Sequence, residues 1–375
     1  MLKEMLIERN VPELKTREEM LESVYALAHK HDLAHLVGQA VSDMALPESE
    51  TVKKAKKAAM SAFMRSMGLE QALAESCQIL EQAQIVHIPL KGAVLRGLYP
   101  QSWMRTSCDV DILVKPEDLD RAVEALVQNL GYVAGPRGNH DITLRCPSGA
   151  HIELHFDLVE EGRANSAAQV LGRVWQQVRP RKGQVYCREM SDGLFYFYHI
   201  AHMAKHFEVG GCGIRPFLDL WLLDRCAQDD GENAVDALLE EGGLLTFAQA
   251  ARKLSRVWFS GDAPDELSEK LQAFLLHGGV YGSTDNRVAL QQESRGGRLG
   301  YLCSRVFAPY EKLKSYYPVL EKHRWLTPLM QLRRWGMLLR PEVAGRTKKE
   351  LAANSTNTKN TGSLLADLGI EDSTW

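Results

Sequence analysis

No uninterrupted apolar run in this 375-residue chain approaches the roughly 18 residues a spanning helix requires, so a membrane span is not expected. The opening residues, MLKEMLIERN, lack the long apolar core of a secretory signal. Cysteine is sparse. The seven are scattered and odd in number, and none falls in a C-x-x-C pair, which argues against a zinc ribbon or a disulfide framework. Buried free thiols in a reducing compartment are the simpler reading, and the expected location is cytoplasmic. Charge of one sign is also missing: a net charge of −3 provides no global attraction to nucleic acid or an anionic membrane. A local exception runs from Arg295 to Lys349, with 13 Lys/Arg against 3 Asp/Glu. No internal repeat is visible.

What is present suggests several units. Residues 1–80 read as an N-terminal helical region, with apolar residues such as Leu21, Val24, Tyr25 and Ala28 at helical spacing and a long proline-free stretch ending near Gln82. Residues 81–190 read as a mixed α/β core. IVHIPL is a short β-branched run closed by Pro89, and KGAVLRGLYP opens a short helix. DVDILV is a strand, and KPEDLDRAVEALVQNLGY is a helix with Pro116 near its start and Gly131 at its end. HDITLRC and HIELHFDL, joined by PSGA, form a hairpin pattern. Helical periodicity returns over 191–340, and 341–375 reads as a flexible polar tail in which LLADLGI is a short apolar exception. The fold class expected is α+β, a mixed sheet flanked by N-terminal and C-terminal helical regions.

One strand carries the chemistry. In SCDVDILV, Asp109 and Asp111 are two residues apart and leave the same face of an extended chain. Adjacent carboxylates repel, and a divalent cation between them relieves the repulsion. Magnesium prefers oxygen ligands of this kind together with substrate phosphates. Glu153, in the hydrophobic–acid–hydrophobic setting Ile152-Glu153-Leu154, completes a three-carboxylate cluster if its strand lies beside the first; Asp157, on the same face, is its rival. Three such acids can hold two metal ions. Upstream, Lys91-Gly92 stands between a strand and a helix, where free N–H groups attract phosphate. A plain turn with a solvated lysine explains the same residues.

Together these features resemble the uncharacterised bacterial nucleotidyltransferase family, within the superfamily that includes DNA polymerase β and the antibiotic nucleotidyltransferases. The resemblance rests on K-G at a helix start, an arginine before D-x-D-x-x-V, a helix ending in G-Y, and a late strand reading I-E-L-H. It implies a nucleotidyltransferase-like core that moves an NMP from an NTP, with release of pyrophosphate. Asp109, Asp111 and Glu153 would be the catalytic and metal-binding acids, with two magnesium ions or manganese in their place. Lys91, Gly92, Arg105, His202 and Lys205 would be the nucleotide and phosphate group. The serine that usually accompanies the glycine is absent beside Gly92, where Ala93 stands.

His199, His202 and His206 share one helix face, either reaching toward a triphosphate or packing against the core. Arg105 either binds phosphate or braces the acids, and Asp219 with Arg215 either orients the histidines or forms an ion pair. Tyr99, Trp103 and Met104 read as packing groups. The acceptor is open: a small molecule, a sugar phosphate, a peptide, a protein or tRNA. Two other classes fit parts of the chain. One is a degenerate nucleotide-binding regulatory or scaffolding module. The other is an RNA-binding protein using the basic C-terminal stretch, whose aromatics otherwise belong turned inward on amphipathic helices.

Overall fold

The computed structural model describes residues 17–159, 165–208, 210–226, 232–280, 282, 306–338 and 363–370. Three helices open it: α1 (Arg17–Lys30), α2 (Ala34–Asp43) and α3 (Glu50–Gln82). Helix α3 has 33 residues, starts at the Ser49 cap, whose hydroxyl accepts from the Val52 amide, and runs about 50 Å. Then come β1 (His87–Pro89), the single turn α4 (Gly92–Leu95), β2 (Asp109–Val114) and α5 (Leu119–Leu130). Helix α5 ends at Gly131, whose φ of +67° is the left-handed conformation a terminating glycine supplies. Strands β3 (Val133–Arg137), β4 (Asp141–Arg145) and β5 (His151–His155) complete a five-stranded sheet.

Its order is β1-β2-β5-β4-β3. The β2–β5 pair is parallel and the other pairs are antiparallel, so the sheet is mixed. The anticipated β4–β5 hairpin is present, with Ile142 opposite Leu154 and Leu144 opposite Ile152. Alternation along β2 separates two environments. Val110, Ile112 and Val114 pack with Leu69 and Leu80 of α3 and Leu119, Ala122 and Leu126 of α5. Leu113, on the other face, joins Ile88 and the helices that follow.

Those helices begin after α6 (Ser166–Leu171) and a small two-stranded sheet, β6 (Val178–Pro180) with β7 (Arg188–Met190). They are α7 (Asp192–Glu208), α8 (Arg215–Cys226), α9 (Glu232–Glu241), α10 (Leu245–Phe259) and α11 (Glu266–His277). Fully buried Phe197, Phe207, Phe217 and Phe247 anchor their packing, each contributing about 1.5–3 kcal/mol of burial. Among the described residues, no helix is long and apolar enough to cross a membrane.

Two readings of the C-terminal stretch change. The segment read as a flexible polar tail is not uniformly free: Leu364, Leu365, Leu368 and Ile370 are buried in the main core, because a short apolar helical turn has a hydrophobic surface to cover. In the basic stretch, Trp325 and Tyr316 face solvent instead of turning inward, at 76% and 64% exposure. Arg324 and Arg333 instead stack over Tyr310 and Tyr317.

Candidate active site

Parallel pairing sets Asp111 beside Glu153 and Asp109 beside His151. Side chains of paired residues on adjacent strands share a face, so Asp109, Asp111 and Glu153 converge on the side opposite Val110 and Ile112. His155, two residues after Glu153, points the same way. Its Nε2 lies 2.8 Å from Asp111 Oδ1 and 3.6 Å from Glu153 Oε2. Ligand atoms of Asp111, Glu153 and His155 all lie within 4.8 Å of one another, a spacing suited to a metal ion. A second such group, His140, Asp141 and His155, adjoins it. Asp109 stands outside both groups, on the same face. Asp157, the rival third acid, lies beyond the strand and is exposed; its carboxylate accepts from the Val159 amide instead.

Lys91 approaches from the other edge, with Nζ 2.7 Å from Asp111 Oδ1. Its backbone has φ +42° and ψ −116°, a conformation L-residues rarely adopt, and strain of this kind collects at functional sites. The turn is tight. A Cβ on Gly92 would stand 2.7 Å from Arg105 Nη1 and 3.4 Å from Ser107 Oγ, so only glycine fits without displacement. A serine therefore does stand beside the glycine in space, although it comes from fifteen positions later in the chain.

The charges in the cluster are uneven. Burial raises the Asp109 carboxyl above the ordinary range, and the negative field of Asp111 and Glu153 adds to the rise. For Asp111, burial pushes the same way, but Lys91 and His155 outweigh it and hold the group well below the usual carboxylate value. Burial would lower Lys91, yet its anionic surroundings, Asp111 foremost among the carboxylates, keep its ammonium more firmly protonated than usual. Burial would also lower His155; its hydrogen bond to Asp111 and the nearby Glu153 carboxylate raise it, so the ring donates to Asp111. One carboxylate is thus held ionised by Lys91 and His155, and its neighbour carries the repulsion.

The phosphate candidates divide. Lys91, His202 and Lys205 line one cleft of about 620 Å³ together with His140, His155 and Tyr198. Arg105 is elsewhere engaged: its Nε and Nη2 lie 3.3 and 3.0 Å from the two oxygens of the fully buried Asp219, which also accepts from the Tyr99 hydroxyl at 2.7 Å. Asp219 therefore pairs with Arg105, and Arg215 pairs with Asp32 at 2.8 Å. His199 packs, its Nε2 2.9 Å from the Pro216 carbonyl. His202 and His206 lie edge to face with ring centroids 4.5 Å apart.

His155 and His140 are site residues that the sequence reading passed over. For His155 the signal was available, since the i+2 rule that pairs Asp109 with Asp111 also pairs Glu153 with His155. For His140 there was none: it precedes its strand, and the backbone hydrogen bond from Phe156 that positions it is tertiary.

No curated protein matches the chain. A solved structure of the antibiotic-resistance factor ANT(2'')-Ia is similar over 46% of this chain and 90% of that one, at 10% identity with a TM-score of 0.35, a likeness too slight to argue from. A family model described as uncharacterised nucleotidyltransferase matches residues 18–260, spanning both the five-stranded sheet and the helices that carry Lys205 and Asp219. The chain belongs to the uncharacterised nucleotidyltransferase family.

Proposed function

We propose that the protein transfers a nucleoside monophosphate from an NTP to an acceptor hydroxyl or phosphate oxygen and releases pyrophosphate. The observation that carries this reading is the in-register pair Asp111–Glu153, with Lys91 and His155 both turned onto Asp111. In the reaction the acceptor oxygen bonds to the α-phosphorus as the bridging P–O bond to the β-phosphate breaks. Pyrophosphate leaves with that electron pair, and Glu153 takes the acceptor proton.

Asp109, Asp111 and Glu153 would hold magnesium, with manganese as a substitute. The donor set fits: oxygens of Asp111 and Glu153 lie within 4.8 Å of each other, and the crowding of negative charge at Asp109 is what a cation relieves. A divalent ion supplies charge neutralisation for the triphosphate and acidifies the attacking oxygen. His155, donating to Asp111, orients that carboxylate, and partners of this sort typically matter 10–100-fold. Lys91, the backbone at Gly92, Lys205 and His202 steady the triphosphate. Arg105, committed to Asp219, acts at one remove by bracing the Gly92 turn.

Incubation of the protein with each α-labelled NTP, magnesium and a lysate of the source cells tests this. Wild type should label a species that the Asp109→Asn/Asp111→Asn protein does not; equal labelling by both would defeat it. The double hold on Asp111 by Lys91 and His155 also favours a second reading, a nucleotide-binding module that does not transfer. That reading expects magnesium-dependent thermal stabilisation by an NTP with no labelled product from wild type.

A further inference from the structure

Behind Lys91, Tyr198 and His202 lies a second pocket, which borders the first cleft through those three side chains. Apart from Lys91 and His202, its lining has no place in the triphosphate reading. Its wall includes His31, which is 1% exposed and has no hydrogen-bond partner for either ring nitrogen among the described residues. The wall also includes Arg215, whose Nη1 is held by Asp32 and by Thr106 at 3.1 Å, but whose buried Nε meets no partner among the described residues. His206 lines the same space beside His202.

A buried polar group left unmatched costs about 1–3 kcal/mol, so two residues carrying such groups in the wall of one cavity call for an explanation. The carboxylate of this chamber cannot supply it, because Asp219 is already committed to Arg105 and Tyr99. Nor does a cation fit: among the described residues, no group of three metal-ligating atoms forms there. With Arg105 and His199 engaged elsewhere, what remains is the guanidinium of Arg215, the ammonium of Lys91 and the imidazoles of His31, His202 and His206.

The geometry points to a binding site for the phosphate group of the acceptor, and hence to a phosphorylated small molecule as the substrate that receives the NMP. This rests on the transferase reading, and placement adds to it. In-line transfer requires the attacking and leaving oxygens on opposite sides of the α-phosphorus. Lys91, which is bound to Asp111, stands where the two spaces meet. A nucleotide in the first cleft and an acceptor in the second would bring the two reacting groups to the acids from different directions. His31 and Arg215 would then act as binding residues for the acceptor, remote from the bond that forms.

The test uses the full-length protein without metal, with inorganic phosphate as the probe, followed by calorimetry and by imidazole nitrogen resonances. Phosphate should bind saturably and move the His31 and His206 signals, leaving those of His140 and His155 in place. His31→Phe and Arg215→Gln should each weaken binding about tenfold to a hundredfold, the size of one charge-assisted hydrogen bond. If a variant fails to fold, the wild-type titration still decides: no saturable binding, or shifts confined to His140 and His155, would overturn the site. A non-hydrolysable NTP analogue separates an acceptor phosphate from the triphosphate or departing pyrophosphate. Joint occupancy supports an acceptor site, and displacement of phosphate by the analogue overturns it. Phosphate binding by the wild-type protein is read without metal or NTP, so it does not depend on labelling activity. Failure of NTP labelling alongside intact phosphate binding would therefore remove the transferase reading and leave the phosphate site standing.

Discussion

The two faces of β2 place opposite demands on one strand. Val110, Ile112 and Val114 are at most 1% exposed and sealed under α3 and α5, so that face is chosen for packing. The other face sets Asp109 and Asp111 against Glu153, where like charges crowd and burial raises the Asp109 pKa. A strand selected only for stability would not carry both. The acid face is held in place by the apolar one, and by the hydrogen bonds that Lys91 and His155 make to Asp111. Stability and function are thus separated by a single residue step.

Substitutions should separate them too. The largest effect is expected at Glu153→Gln, which removes one charge from the cluster without changing its shape. NMP transfer measured with labelled NTP should fall on the order of a hundredfold to a thousandfold. The urea midpoint should hardly move, because Glu153 is only half-buried. A comparable fall in stability would show that the acid face supports the fold after all. Ile112→Ala, one residue from Asp111, should do the reverse. Loss of a fully buried side chain costs about 2–5 kcal/mol, read as a lowered denaturation midpoint, while transfer per folded molecule is retained.

Of these two faces, the acidic one was largely legible in the sequence. The i, i+2 spacing puts Asp109 and Asp111 together, and the setting of Glu153 marks it as the third acid. The parallel register that pairs Asp111 with Glu153 was not legible, because the two are 42 positions apart and strand order is set by the packing of the whole sheet. Arg105 and Asp219 illustrate the same limit: separated by 114 positions, they form an ion pair that no local pattern announces. His31 is harder still. It sits just past the end of α1 and becomes interesting only when a cavity closes around it.

The last effect concerns pH, and it separates the histidine wall from the acids. Burial lowers His31 and His206 from 6.5 to about 4, reinforced by Lys30 in the first case and by Lys205 and Lys91 in the second, and burial also lowers His35, His199 and His202. For a group whose folded pKa is depressed, the unfolded chain binds protons that the folded one refuses, so stability is present above the unfolded value and is lost as pH falls. Stability should therefore decline from pH 6.5 toward 4. His155, which is raised, opposes this: its contribution is present below 6.5 and fades as pH rises through its folded value. Asp111, depressed from 3.8, adds a further loss only below that value. Urea midpoints at pH 7.5, 5.5 and 4.5 check the first limb. A flat profile across them would mean the histidines are more hydrated than their burial implies.

The short helical turn near the C-terminus has a consequence for how the chain is made. Leu364, Leu365, Leu368 and Ile370 share one continuous core with Ala28, Val37 and Phe207. A nascent chain emerging from the ribosome can assemble the sheet and α3 early, but it cannot close this core until Ile370 has cleared the exit tunnel. Until then the nascent chain carries an open apolar seam, which this turn seals.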